Sequence, residues 1–329
     1  MTGIERLQST FENARQQQRA ALILYYPAGF PDYAAALMVM ESLAQNGADI
    51  IEVGMPFSDP LADGPTIQFA AQAALAAGIN MRTCLQSVVE LRRRGVERGL
   101  VLMGYLNPIL AYGMERWVSD AAAAGADGVI LPDLPPEEAS AFQACCEAHG
   151  LANIYLISPA TPPDRAAWIA ERTRGFLYLV SLTGVTGARA QLPQGLGDLI
   201  HHARAATALP LAVGFGISTP AQAQAIGRLA DGVVIGSALI EMVRKSADPS
   251  AAAGEFGALA SFANCRLIAF AGNNLVHGLC LADLMAQPGK LPRGLPQALL
   301  LHPPFTNFGT FTMSLDEVRK WNIIQSALK

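Results

Sequence analysis

The sequence is poor in charge and carries no long block of either sign. Asp, Glu, Lys and Arg make up 15% of its 329 residues, for a formal net charge of −4. Without a basic stripe it lacks the electrostatic footprint of a nucleic-acid binder. No run of about 20 apolar residues is present, the length a helix needs to span a bilayer. Residues 261–286 come closest, and Arg266, Asn273, Asn274 and His277 interrupt them. The N-terminal MTGIERLQSTFENARQQQ is polar and helical in pattern, without the charged-then-apolar layout of a secretory signal. These absences predict a cytoplasmic protein with no nucleic-acid and no membrane partner. The five cysteines lack metal-ligand spacing, and Cys145 and Cys146 are adjacent, so free thiols are expected. His201 and His202 are consecutive on a helical stretch and point about 100° apart. That makes a poor bidentate pair, and no metal site is expected.

What is present is an apolar chain, 51% hydrophobic, in which strand and helix patterns alternate. Candidate strands are residues 21–26 (ALILYY), 48–53 (ADIIEV), 100–104 (LVLMG), 126–131 (ADGVIL), 153–158 (NIYLIS), 175–181 (GFLYLVS), 209–216 (LPLAVGFG) and 231–237 (DGVVIGS). Each is short, apolar and often β-branched, as for strands buried on both faces of a parallel sheet. Helical patterns lie between them, such as residues 33–45, stopped by Asn46-Gly47, and 115–124, stopped by Gly125. Eight such units predict an α/β fold of the TIM (β/α)8 barrel type, preceded by an N-terminal helix. An open doubly wound sheet is the alternative, and no Gly-rich dinucleotide fingerprint follows the first strand.

Chemistry concentrates in residues 51–68, IEVGMPFSDPLADGPTIQ. Glu52 sits at the end of the second strand, where barrels place their active sites. A carboxylate on the rim of a buried strand is costly unless it is paired or used. Asp63 lies where the following loop meets a helix. A structural Glu52 satisfied by a neighbouring cation, and an Asp63 that caps the helix, are the simpler readings. Ile50 and Glu52 share a strand face, as do Phe176, Tyr178 and Val180. Tyr178 therefore reaches toward the same mouth, unless it is a core aromatic with its hydroxyl satisfied elsewhere. Residues 181–189, SLTGVTGAR, read as a lid. GFGIS (214–218) and IGSAL (235–239) end the last two strands, where glycine and a helix N-terminus suit a phosphate.

The 51–68 stretch resembles the signature of the tryptophan synthase alpha subunit family. Residues 102–109 (LMGYLNPI), 124–138 (AGADGVILPDLPPEE), SLTGVTGAR and GFGIS extend the resemblance from about residue 4 to about residue 259. The resemblance implies a carbon–carbon lyase in tryptophan biosynthesis. Such an enzyme cleaves indole-3-glycerol phosphate by a retro-aldol reaction to indole and glyceraldehyde 3-phosphate. It implies Glu52 as general acid–base and Asp63 as the group that holds the indole N–H. Tyr178 and Phe215 would line the substrate site, and Gly187, Gly216, Gly236 and Ser237 would bind phosphate. No cofactor is implied in this chain. A beta subunit carrying pyridoxal phosphate is the implied partner, in an alpha2-beta2 complex. The proline-bearing segments 25–32 (YYPAGFPD) and 131–136 (LPDLPP) are candidates for that interface.

Two other readings stand beside this one. A catalytically weak barrel acting mainly as an allosteric partner of a beta subunit need not keep Glu52, Asp63 and Tyr178. A Schiff-base aldolase needs a strand lysine, and none of the eight predicted strands has one. The sequence departs from the family at its end. It is expected to divide into a catalytic barrel, residues 1–265, and a C-terminal extension of unknown role, residues 266–329. Within that extension SLDE (314–317) predicts the start of a final helix.

Overall fold

The computed structural model describes residues 1–180, 195–214 and 216–263, all within one compact unit. The expected lid with Gly187, Phe215, and the extension 266–329 with its SLDE segment lie outside the described residues.

In chain order the elements are α1 (Gly3–Gln16), β1 (Ala21–Pro27), α2 (Tyr33–Gln45), β2 (Ile50–Gly54), α3 (Pro65–Ala76), α4 (Met81–Arg93), β3 (Gly99–Met103), α5 (Leu106–Tyr112), α6 (Met114–Ala124), β4 (Gly128–Ile130) and α7 (Ser140–Ala148). They continue as β5 (Ala152–Ile154), β6 (Leu156–Ile157), α8 (Pro163–Arg172), β7 (Leu177–Val180), α9 (Leu196–Ala206), β8 (Leu211–Gly214), α10 (Pro220–Gly227), β9 (Gly232–Ile235), α11 (Ser237–Lys245) and α12 (Pro249–Ala263). Local sequence sets several boundaries. Thr2 and Glu5 form a reciprocal capping box on α1, and Asp32 caps α2. Gly125 ends α6 in the left-handed region, which a residue without a Cβ adopts at little cost.

All strand pairs are parallel, in the order β5-β4-β3-β2-β1-β9-β8-β7-β6. The two ends of that order are consecutive in sequence. β5 and β6 are halves of the predicted fifth strand, separated by Tyr155. The first half pairs with β4 and the second with β7, while Tyr178 N–H donates to Tyr155 O at 3.0 Å. The sheet thus comes round on itself as an eight-unit barrel with helices outside. The predicted barrel and its N-terminal helix are present; the break at Tyr155 is the one strand feature the sequence pattern did not carry. On the outside α12 packs on α2, and Ser42 Oγ donates to Ser250 O at 2.8 Å.

One end of the barrel is built for stability. Leu7 and Phe11 of α1 are buried beneath the strands, and the Phe11 ring lies 5.4 Å from that of Phe176. Each such side chain contributes roughly 1.5–3 kcal/mol. Around this floor an Ala-Asp pair recurs before β2, β4 and β9. Asp49 accepts from Leu22 N–H at 2.7 Å, Asp127 from Leu100 N–H at 2.8 Å, and Asp231 from Leu211 N–H at 2.9 Å. Each aspartate also donates its own N–H to that same partner residue. Each carboxylate is neutralised by arginine: Arg19 on Asp49, Arg6 and Arg92 on Asp127, Arg204 on Asp231. Carboxylates so fully paired hold the strand registers.

Removing one partner of a buried charge network costs about 3–5 kcal/mol. Asp127→Ala strands two arginines, and a loss of about 3 kcal/mol is expected, read as a lower urea midpoint with an unchanged slope. A midpoint equal to the parent's would show that the collar does not stabilise the fold.

Candidate active site

The opposite end of the barrel holds carboxylates of another kind. Glu52 is on β2, and a parallel strand buried on both faces gives its side chain no route to bulk water. It is 1% exposed, and neither carboxylate oxygen has a hydrogen-bond partner among the described residues. The cation that would make Glu52 structural is therefore missing from its surroundings. Burial alone pushes its carboxyl up to about 8. At neutral pH Glu52 is predominantly a neutral acid with a proton to give.

Asp63 lies on the loop between β2 and α3. It does not cap the helix. The N-cap is Gly64, with no side-chain cap hydrogen bond, and Pro65 at N1 needs no N–H partner. The Asp63 backbone carbonyl is held by Gln68 Nε2 at 2.8 Å, which fixes the loop and leaves the carboxylate available. Burial pushes the Asp63 carboxyl up to about 6, and the Tyr105 hydroxyl, which donates to it, pulls it part of the way back. The two acids thus differ by environment. Near pH 7 the first is protonated and the second ionised, the separation an acid–base pair needs.

Three tyrosines surround them. Tyr178, on β7, is 3% exposed, and its phenol is held well above the ordinary range by burial, then by the charges of Glu52 and Asp63. Its hydroxyl lies over Gly214, where a Cβ would come within 2.1 Å of it, so the close approach requires glycine there. The sequence reading placed Glu52, Asp63 and Tyr178 at one mouth, and the structure brings all three together. It adds two residues that reading missed. Tyr105, after β3, accepts from Ala62 N–H at 3.0 Å and stacks near Phe57 at 5.4 Å, so it ties the Asp63 loop to the barrel rim. Tyr25, on β1, feels Asp63, Tyr105 and Glu52 after burial. Tyr105 stood within a quoted family motif, LMGYLNPI. Tyr25 was read as part of an interface loop.

Gly236 and Ser237 sit where β9 turns into α11. Gly236 is the N-cap of that helix and makes no side-chain cap hydrogen bond. The first backbone N–H groups of α11 therefore lack intrahelical acceptors, and the helix presents its positive end. A Cβ on Gly236 would come within 3.2 Å of the Tyr25 Cβ, which places this helix start beside the mouth. Gly216, in the loop after β8, has φ +82°.

A sequence model of the tryptophan synthase alpha chain matches residues 11–264. The chain is 49% identical over 243 residues to the tryptophan synthase alpha chain of Roseiflexus sp. strain RS-1, covering 74% of this chain and 93% of that one. To that of Chloroflexus aurantiacus it is 50% identical over 242 residues, covering 74% and 91%. Among solved structures, tryptophan synthase subunit alpha from Legionella pneumophila superposes with a TM-score of 0.74 at 39% identity, covering 80% of this chain and 98% of that chain. Mycobacterium tuberculosis tryptophan synthase superposes with a TM-score of 0.72 at 42% identity, covering 78% and 98%.

The unpaired Glu52 has a thermodynamic signature. Its folded pKa of about 8 exceeds the ordinary value of 4.5. Between those values the folded state keeps a proton that the unfolded state releases. Its contribution to stability is full below the window and is lost as pH rises through the folded value. Glu52→Gln, which cannot ionise, is expected to be more stable than the parent at pH 8 and above by a few kcal/mol. The difference between the two unfolding free energies should grow from pH 6 to pH 8. A difference independent of pH would mean that Glu52 is not held protonated.

Proposed function

The chain belongs to the tryptophan synthase alpha chain family, a carbon–carbon lyase acting in tryptophan biosynthesis, and we propose how its residues cleave indole-3-glycerol phosphate. The observation that carries the proposal is a buried, unpartnered Glu52 and a second carboxyl, Asp63, facing Tyr178 at one barrel mouth. Indole is a poor leaving group until its ring C3 is protonated. Glu52, neutral at the start, gives that proton. Positive charge then develops on the ring nitrogen, and the Asp63 carboxylate, accepting from the indole N–H, stabilises it. Glu52, now a carboxylate in a site that disfavours its charge, takes the proton from the side-chain hydroxyl next to the ring as the C–C bond breaks. The bond electrons return to the ring, the oxygen becomes the aldehyde carbonyl, and Glu52 ends neutral as it began.

Tyr178 lines the site, with Phe215 assigned beside it by its place in the GFGIS motif. Phosphate is assigned to Gly216, Gly236, Ser237 and the start of α11, and to Gly187 by its place in the lid motif. What supports this is the uncapped helix end beside the mouth. Affinity for the remote phosphate fixes the reacting end without a cofactor.

Family membership implies a beta-subunit partner; pyridoxal phosphate in that subunit, an alpha2-beta2 stoichiometry and a cytoplasmic location complete the proposal. The segment 25–32 is a poor contact for it, because residues 25–30 are buried within this chain and only Pro31 and Asp32 are exposed. The segment 131–136 remains open, with Asp133 exposed. Leu61, 87% exposed on the Asp63 loop, and Leu110, 54% exposed on α5, offer apolar surface near it.

Three outcomes test the proposal. Glu52→Gln and Asp63→Asn are each expected to lower indole release from indole-3-glycerol phosphate by about 100-fold or more. The parent's kcat/KM should be bell-shaped, falling below about 6 as Asp63 takes a proton and above about 8 as Glu52 loses one. Near-parental turnover by either variant removes that residue from its role. Added beta subunit should raise the rate, and Leu61→Asp should weaken that response while leaving the unstimulated rate in place; an undiminished response removes Leu61 from the interface.

A further inference from the structure

Tyr25 has features that neither the fold nor the acid–base pair explains. In the parallel pairing of β1 with β2 its Cα is the register partner of Glu52. The two side chains therefore leave the barrel wall at one level. Tyr25 is 8% exposed, and its ring does not turn away toward the helices. It leans over β2, where its hydroxyl would lie 2.3 Å from a Cβ on Gly54. Gly54 is two residues beyond Glu52 on the same strand, and so on the same face and one step nearer the open end. The phenol thus crosses above the Glu52 carboxyl. Its neighbour Tyr26 points the opposite way and packs near Phe30 at 6.4 Å, as strand alternation requires.

Beneath the Tyr25 phenol lies an unpartnered group, the Glu52 carboxyl. Two polar side chains, both more than nine-tenths buried, thus converge on one small volume, and the carboxyl among them is unsatisfied. That volume suits a ligand atom able to donate to one and accept from the other. An aliphatic hydroxyl does both.

We propose that Tyr25 is a substrate-positioning residue whose hydroxyl donates a hydrogen bond to the substrate oxygen that loses its proton to Glu52. The proposal rests on the lyase reading above and extends it. The substrate hydroxyl donates to Glu52 below and accepts from Tyr25 above. As the C–C bond breaks, its proton passes to Glu52 and the oxygen becomes a carbonyl. Tyr25 keeps its own proton throughout. Burial and the nearby carboxylates hold its phenol well above the ordinary range, so it remains a donor at every working pH. A donor aimed at an oxygen gaining negative character is worth more in the transition state than in the bound substrate.

Tyr25→Phe removes the hydroxyl and keeps the ring. Indole release from indole-3-glycerol phosphate is expected to fall roughly tenfold in kcat/KM, with most of the loss in kcat. Binding of an indole propyl phosphate, which keeps ring and phosphate but has neither side-chain hydroxyl, should stay within about twofold of the parent. Parental kcat/KM in Tyr25→Phe, from an active parent, overturns the proposal. Equal losses in turnover and in binding of the hydroxyl-free analogue also overturn it, because they mark Tyr25 as a wall of the pocket. A folded parent that binds the analogue and releases no indole overturns the lyase reading, and this inference with it. That failure is distinguishable because it appears before any substitution is made.

Discussion

The structure depends on a carboxyl group held where water and counter-ions do not reach it. Glu52 is the only carboxylate in the described barrel that is buried with both oxygens unpartnered. Its state contrasts with the other buried acids of the same fold. At the floor, Asp49 and Asp127 are equally enclosed, yet each accepts a backbone N–H and is paired with arginine. Carboxylates so paired fix the strands through backbone hydrogen bonds and ion pairs. A carboxyl with nothing to pair with keeps its proton. The same side-chain chemistry therefore serves stability at one end and proton transfer at the other, and only the neighbours differ.

The cost at the mouth is contained by the rest of the molecule. The floor, with α1 as a plug and the aspartate collar around it, holds the strand registers that put Tyr25 opposite Glu52 and Tyr178 over Gly214. Asp63 reaches the same space from a loop, and Tyr105 and Gln68 restrain that loop from two sides. Reactive groups that disfavour their charged or unpaired states are thus mounted on elements whose own hydrogen bonds are complete. This is the usual division of a barrel between its two ends.

Much of this was legible in the sequence, and for identifiable reasons. Short apolar runs alternating with helical patterns gave the barrel, α2 spans the expected residues 33–45, and α6 ends at Ala124 where Gly125 punctuates it. Glu52 and Asp63 stood out because charged residues are few and these two lie in one unbroken motif. Whether Asp63 merely caps α3 was not legible, because Asp-Gly-Pro permits either Asp63 or Gly64 as the N-cap; backbone geometry selects Gly64. Tyr25 was missed because consecutive tyrosines in a fully buried strand carry no alternation signal. Only the register with β2 shows that Tyr25 faces in and Tyr26 out. The floor aspartates were hidden for a related reason. Asp49, Asp127 and Asp231 read as the first residues of strands, and their role shows only when the partner arginines, distant in sequence, are folded against them.

The central claim is that Glu52 is a neutral acid at pH 7, and its titration tests this most directly. Carboxyl carbon NMR of chain labelled at glutamate, with Glu52→Gln to assign the resonance, reads that titration without recourse to activity. The account predicts a single glutamate signal that titrates near pH 8, far above the ordinary 4.5, and is missing from the variant. A Glu52 signal that titrates between about 4 and 5 would contradict it, because the side chain would then be ionised and solvated, with no proton to give.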